Sequence, residues 1–489
     1  MSLKALCRGL LAVAALAAFA GSALAQDAPV FATGGGLYFK ELAKDGRIYV
    51  FNSAAEADRF EKTGETGRAI TKIGVGPNGE TVVGDSETAL ELYFFKHGLS
   101  EKVDRAKQPV QTIVWSDGKT RFTLGNNFYL ELSNRIMPRF TFEKPDDNVR
   151  LAGTAAAGDT RSSFRIRRAK FKLEGWMYKP EIEFEVQLNW SDATVAQPNR
   201  FLEDANIDWA VAKSRAFRVR FGQFKAPYGR QQLTSSGAQQ FVDRSIVDER
   251  YNPGRETGLA LWGTLGANKL DWRAMISNGN GRSQSLNDNG KFLLSGRVMY
   301  QLLGNTRMNQ WGSGLLLTEG DLGDSAAAGG PLLAIAVNAL NNDRQFALIV
   351  PNSINAKDIQ YGGDYSFKHR GFASVGEYSY RQTKPQRGDT GIVGDKFKDQ
   401  GVNLQASYAF KTNGLGLGSF VEIAGRYAWI QPDDRISNGD RTEVGGALSY
   451  YYNKHNLKVQ ADYRQLKDDF KKVGERNVRE FRLQTQFIF

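Results

Sequence analysis

Residues 162–192 read SSFRIRRAKFKLEGWMYKPEIEFEVQLNWSD. Five basic residues, Arg165, Arg167, Arg168, Lys170 and Lys172, crowd the first half, and Glu181, Glu183 and Glu185 open the second. Only Lys179-Pro180 separates the halves, and in both apolar residues alternate with charged ones. That period of two places one residue type on each face of a strand. The stretch is therefore a hairpin with one apolar and one ionic face. Such a hairpin belongs in a wall with hydrocarbon on one side and water on the other.

The same period runs from about Arg121 to Phe489, in about sixteen segments of ten or more residues, without helical periodicity. The connections alternate in length. Short ones are Lys179-Pro180, AKSRA (212–216), GANK (266–269), KHRG (368–371), NGLG (413–416) and NKH (453–455). Long ones fall near 192–200, 230–256, 279–291, 384–396, 432–441 and 467–477. Tight turns on one side and long loops on the other mark an outer-membrane barrel. Residues 304–329 break the rule, because a long segment stands where a short turn is due, and eighteen strands are the alternative count. Trp176, Trp190, Trp209 and Tyr450–Tyr452 lie at strand ends, and the chain closes on Phe481, Phe487 and Phe489. The expected fold is all-β: a 16-stranded antiparallel transmembrane β-barrel over residues 111–489. A two-sheet sandwich is the competing architecture.

The N-terminus sets the compartment. Lys4 and Arg8 precede an apolar run that ends at Ala23-Leu24-Ala25, so residues 1–25 read as a secretory signal peptide. Its removal takes away Cys7, the single cysteine, and with it disulfides, thiolate chemistry and haem attachment. It also lowers the net charge from +11 to +9, since two basic residues leave. A mean hydropathy of −0.43 fits polar loops and a polar lumen. No later apolar run reaches the roughly eighteen residues of a membrane helix.

Residues 26–110 differ in character. RIYVFN (47–52) predicts a strand, and 53–64 a helix capped by Ser53 with Glu56 in a capping box. AITKIGVG and ETVVG predict a strand pair around Pro77-Asn78-Gly79, and 86–96 a second helix stopping near Gly98. This is a small α+β module and linker, expected in the periplasm.

Inside a barrel, Ile182, Phe184, Val186, Leu188 and Trp190 face lipid, and Glu181, Glu183, Glu185, Gln187 and Asn189 face the lumen. In the preceding strand the parity changes between Arg167 and Arg168. A β-bulge there brings both guanidinium groups inward, whereas one of them on the lipid face would cost about 2–4 kcal/mol at the midplane. The strand near 217 turns Arg218, Arg220, Gln223 and Lys225 inward and Phe221 and Phe224 outward, with a second slip at Gly222. Leu202, Asp204, Asn206 and Asp208 lie between. The bases either brace acids across neighbouring strands or stand as solvated pore charges. The loop 230–256 carries Arg230, Arg244, Arg250 and Arg255 together with Asp243, Asp248, Glu249 and Glu256. It either folds inward to narrow the pore or stays on the surface.

FRIRRAKFKLEGWMYKP, FRVRFGQFKAPYG, FVDRSIVDERYNPGRETGLALWG and the aromatic C-terminal strand together resemble the phosphate-selective porin O and P family. The resemblance spans roughly 120–489 and is strongest over 162–263. It implies a sixteen-stranded outer-membrane barrel, generally homotrimeric, that passes phosphate or other small anions through a basic pore. It makes Arg165, Arg167, Arg168, Lys170, Arg218, Arg220 and Lys225 candidate pore-lining residues, with Arg230, Arg244, Arg250 and Arg255 in or near the inward loop. The dense acids and the extra N-terminal module depart from the family. The implied partners are membrane lipid, small anions and, for the module, a periplasmic protein. No cofactor and no nucleic acid is expected, because bases and acids are interleaved. A barrel acting as sleeve for an envelope redox partner is the second reading. Catalysis is not expected, since His97, His369 and His455 lie far from any recognisable nucleophile–acid set.

Overall fold

The computed structural model describes residues 38–97 and 111–489, apart from 68, 117, 125–127, 193–197, 212–214, 284–285, 288, 307–316, 348–352, 386–394, 413–418, 436–438 and 471–473. The expected signal peptide, Gly98 and most of the expected linker lie outside the described residues. The chain divides into two compact units, Met1–Gln108 and Pro109–Phe489.

The first unit contains β1 (Lys40–Lys44), β2 (Arg47–Phe51), α1 (Ala54–Thr63), β3 (Ile70–Lys72), β4 (Thr81–Gly84) and α2 (Glu87–Lys96). Its sheet runs β1-β2-β4-β3, with β2 and β4 parallel across α1. Alternation along β2 serves both helices. Val50 packs with Leu90 and Tyr93 of α2, and Phe51 with Ala57 and Phe60 of α1. Gly64 ends α1 at φ 71°, donating to the Phe60 carbonyl at 2.7 Å. The expected capping box is absent. Ser53 occupies the N-cap without a side-chain bond, and Glu56 pairs with Arg59 at 2.5 Å. The Asp85 carboxylate instead accepts the amides of Asn52 and Ser53 at 3.1 and 3.2 Å.

The second unit opens with a hairpin, β5 (Gln111–Ser116) and β6 (Lys119–Leu124). Sixteen longer strands follow: β7 (Phe128–Pro145), β8 (Arg161–Met177), β9 (Ile182–Asn189), β10 (Leu202–Ala210), β11 (Arg218–Lys225), β12 (Arg255–Leu265), β13 (Leu270–Ser277), β14 (Leu293–Leu303), β15 (Leu332–Ala347), β16 (Ser353–His369), β17 (Phe372–Pro385), β18 (Phe397–Lys411), β19 (Phe420–Gln431), β20 (Arg441–Asn453), β21 (Leu457–Phe470) and β22 (Gly474–Ile488). Each pairs antiparallel with the next, and β22 closes on β7 from Val478↔Pro145 to Ile488↔Arg135. Below that point β7 pairs with β6, from Thr120↔Leu132 to Leu124↔Phe128. The wall thus closes with sixteen strands, and the hairpin fills the space beyond the end of β22. The sixteen-strand count expected from the sequence holds, and the extra strand pair is this N-terminal hairpin rather than a strand among the described residues of 304–329.

No helix among the described residues is long and apolar enough to cross a membrane. Crossing falls to strands whose outward positions are apolar. On β19, Ile423 and Tyr427 point outward and are exposed, while Glu422 and Arg426 point inward and are buried. The β7–β8 register slips between Met137↔Arg168 and Pro138↔Ile166, leaving Arg167 as the extra residue. This is the expected bulge. The slip in facing expected at Gly222 leaves no register shift. Its pairing with Asn206 and Gly258 is regular, although its φ is 129°. Gln223 and Lys225 face in as expected, while Phe224 is also buried inward, at 4 % exposure, rather than set toward lipid. A bulge that the parity did not reveal lies between Leu202 and Asp204, and it turns Glu203 into the lumen. The loop expected at 467–477 is short, because β21 and β22 stay paired out to Phe470↔Gly474.

Two connections enter the barrel. The one between β11 and β12 holds α3 (Arg230–Leu233) and α4 (Ile246–Tyr251). The one between β14 and β15, on the short-turn side, holds α5 (Asp324–Ala327).

Candidate permeation site

The β11–β12 loop folds inward because its apolar residues find apolar partners on the lumen face. Tyr228, Ile246, Val247 and Tyr251 bury against Leu293, Leu340, Ala428 and Ile430 of the wall. Burial of each such side chain contributes about 1.5–3 kcal/mol. Polar contacts set the register. Arg230 and Gln231 amides donate to Glu377 at 2.9 and 3.2 Å, the Ile246 amide to Glu443 at 2.9 Å, and the Val242 amide to Asp462 at 3.0 Å. Gln240 at the tip reaches Ser407 and Glu422. Ser245 caps α4, accepting from the Asp248 amide at 3.3 Å.

One carboxylate pins the loop across the barrel seam. Asp243 takes Arg139 of β7 at 2.6 Å, Arg167 of the bulge at 3.3 Å and Arg482 of β22 at 3.4 Å. Burial pushes the Asp243 carboxyl up, but the three guanidinium groups outweigh burial and hold it well below the usual carboxylate range.

The loop packs on the wall from β14 to β22 and reaches β7, β8 and β11 only through polar contacts of Arg135, Arg139, Arg167 and Lys225, leaving a gap beside the wall from β7 to β12. Between that wall and the loop lies a cavity of about 250 Å³. Its cationic lining is Lys119, Arg135, Arg168, Lys170, Lys172, Arg220, Lys225, Arg244, Arg255 and Arg273; its anionic lining is Glu174, Glu185, Glu203 and Asp204. Much of the ionic face is internally braced. Arg218 bonds Asp208 at 2.5 Å and Glu183 at 2.7 Å, and Arg220 bonds the other Asp208 oxygen at 2.7 Å. Trp262 donates to the same carboxylate at 2.7 Å and lies under both guanidinium groups. Lys170 pairs with Glu203, which Arg255 also reaches at 3.1 Å while bonding Asp204 at 2.8 Å.

Three cations differ. Among the described residues Arg135 is held by the hydroxyls of Ser235 and Ser236, each at 3.2 Å. Lys225 donates to the carbonyls of Leu233 and Thr234 at 3.1 and 3.3 Å. Arg168 is buried on the cavity wall. None of the three has a carboxylate within ion-pair distance among the described residues. Their charge faces the open space.

Of the residues singled out from the sequence, Arg168, Lys170, Arg220, Lys225, Arg244 and Arg255 line this cavity. Arg244 spans from the Gln231 and Thr234 carbonyls, at 2.8 and 3.1 Å, to Asp248 at 3.5 Å. Arg218 is buried on the lumen face in its ion pairs with Asp208 and Glu183, Arg167 reaches Asp243, and Arg165 is exposed near the loop-side end of β8. Arg230 is buried beneath the loop and donates to the Thr318 carbonyl at 3.4 Å. Arg250 pairs with Asp399 at 2.6 Å beside a second cavity of about 190 Å³. Arg135 and Arg139 escaped the sequence reading. The odd-numbered inward positions of β7 (Glu131, Ser133, Arg135, Met137, Arg139) carry the signal that would have found them. Lys119 had no such signal, because its place follows from the hairpin pairing.

Residues 145–313 match the family model described as phosphate-selective porin O and P. Comparison with curated proteins gives no sequence match. Among solved structures the chain is similar to the anion-selective porin from Comamonas acidovorans, at 12 % identity and TM-score 0.47, covering 74 % of this chain and 99 % of that one. It is similar to the outer membrane channel DcaP of Acinetobacter baumannii, at 11 % identity and TM-score 0.47, covering 74 % and 98 %. It is also similar to in-vitro folded OmpT of Vibrio cholerae, at 7 % identity and TM-score 0.47, covering 77 % and 99 %. The segment that carries strands β8–β14 and the inward loop, and with them most of the cavity wall, is thus the one similar to the phosphate-selective porin O and P family, within a closed sixteen-stranded antiparallel barrel.

Proposed function

We propose that this porin passes small anions, phosphate-like oxyanions among them, by passive diffusion along the basic wall of β7–β12. The observation that carries the reading is the cavity between wall and loop, where Arg135, Arg168 and Lys225 face open space with no acid partner among the described residues. Guanidinium forks bind oxyanions bidentately, and cations bound in series let an ion leave as readily as it enters. The four lining carboxylates argue for moderate rather than exclusive selectivity, because each lowers the local positive potential. Solute uptake by proteoliposomes tests the reading. Phosphate and small carboxylates should enter faster than amines of equal size, and the reverse order would contradict it.

The short-turn side of bacterial barrels faces the periplasm. The barrel unit begins on that side, where Gln111 pairs with Leu124 and Leu124 with Phe128. Connectivity therefore supports a periplasmic place for the module of residues 38–97. A homotrimer and a periplasmic partner for that module complete the proposal, with no enzymatic step.

A further inference from the structure

We propose that the short-turn-side segment 317–330 is a second constriction element, which fills the lumen under the β11–β12 loop and confines solutes to the basic wall. The inference rests on the channel reading above and adds the route.

The first observation is an apolar lumen face where water would otherwise stand. Inward positions of a water-filled barrel are ordinarily polar. Here Met299, Leu332, Ala334 and Ala336 of β14–β15 are inward and buried, as are Ala409, Phe420 and Tyr451 of β18–β20. Leu317 covers the first set together with Leu233 of the loop, and Leu322 covers the second. Both leucines are 2 % exposed. Apolar residues at lumen positions and apolar residues in an entering segment account for one another.

The second observation is polar locking to both the wall and the loop. Lys368 of β16 donates to Asp324 at 2.7 Å, and the Gly371 amide donates to Asp321 at 2.9 Å. The Glu319 amide donates to the Ala238 carbonyl at 2.9 Å, and its carboxylate accepts the Gln240 amide at 2.9 Å. The segment thus meets the tip of the loop that descends from the opposite mouth. Buried and hydrogen-bonded on both sides, the two form one partition. The cavity beside β7–β12 lies to one side of it, with no residue of 317–330 in its lining.

Two variants test this: deletion of residues 317–329, and Leu317→Asp with Leu322→Asp, which makes the buried site hostile to the segment without shortening the chain. Single-channel conductance should rise about twofold or more in each. The anion-to-cation permeability ratio should fall, because solutes then bypass the basic wall through a wider path. A third readout is chemical. Cys7 is the sole cysteine and leaves with the signal peptide, so Ala409→Cys gives a single thiol beneath Leu322. A water-soluble maleimide should modify it at least tenfold faster when the segment is deleted or expelled. Folded variants with wild-type conductance, ratio and labelling rate would overturn the inference. If the deletion does not fold, the double-aspartate variant decides in the same way. Should the unmodified protein form no channels, the channel reading itself fails, and the labelling experiment still judges the partition.

Discussion

Arg168→Gln is the sharpest single perturbation of the pore. Arg168 lies on the cavity wall with no carboxylate partner among the described residues, so its removal strands none of their buried acids and leaves the loop anchor Arg139–Asp243 intact. A unit charge 4 Å from a passing anion is worth about 1 kcal/mol in bulk water and about 4 kcal/mol at an effective dielectric of 20. A water-filled constriction stands nearer the first value, and about 1.4 kcal/mol corresponds to tenfold. The substitution should therefore lower the anion-to-cation permeability ratio about fivefold or more, with conductance changed much less. Reversal potentials in planar bilayers read both. The paired control is Arg218→Gln, which leaves Glu183 and Asp208 short of a partner. It should destabilise the barrel by about 3–5 kcal/mol in the manner of a broken buried pair, with little effect on selectivity. Equal ratios for Arg168→Gln and the unmodified protein would refute the reasoning, and would assign Arg168 to bracing the wall.

Other consequences follow from the same geometry. Asp243→Ala frees Arg139, Arg167 and Arg482 together, and should loosen the loop into noisy, larger conductance states visible in single-channel records. The Asp243 carboxyl is held well below its unfolded value of about 3.9, so its contribution is complete above that pH and lost as pH falls through the lower folded value. Quiet wild-type channels should therefore persist at pH 4–5 and turn noisy only in stronger acid. Gly222→Ala places a Cβ 2.2 Å from the Ala205 carbonyl at a φ of 129°, and should cost about 1–3 kcal/mol, seen as a lower temperature of heat-induced mobility shift on gels. The proposed homotrimer should show three times the 54.2 kDa chain mass, less the signal peptide, in detergent by light scattering, and a monomer mass would remove it.

Much of this molecule is legible in alternation alone, because a wall between lipid and water allows one arrangement per register. The hairpin of β8 and β9, its bulge at Arg167 and the lipid face Ile182–Leu188 follow residue by residue. Legibility stops where backbone geometry departs from period two. Glu203 is turned inward by a bulge that its neighbours do not announce, and Phe224 is buried inward together with Gln223 and Lys225 after Gly222, whose φ of 129° interrupts the alternation. Charge partners are the other limit. Arg218 and Arg168 look alike in sequence, yet one is locked between two acids and the other faces the cavity. That distinction depends on side chains from β9 and β10, aligned by registers fixed only in three dimensions. The segment at 304–329 showed itself only as an anomaly in turn length, since its partners Leu332, Ala409 and Phe420 are scattered along the chain.

The central claim is that the basic wall, not the acids interleaved with it, governs what passes. The zero-current potential of the purified protein in a planar bilayer under a tenfold KCl gradient tests it most directly. The account predicts the sign of an anion-preferring channel, with conductance reduced as phosphate is added. The sign of a cation-preferring channel would mean that Glu174, Glu185, Glu203 and Asp204 set the potential of the path, and would contradict it.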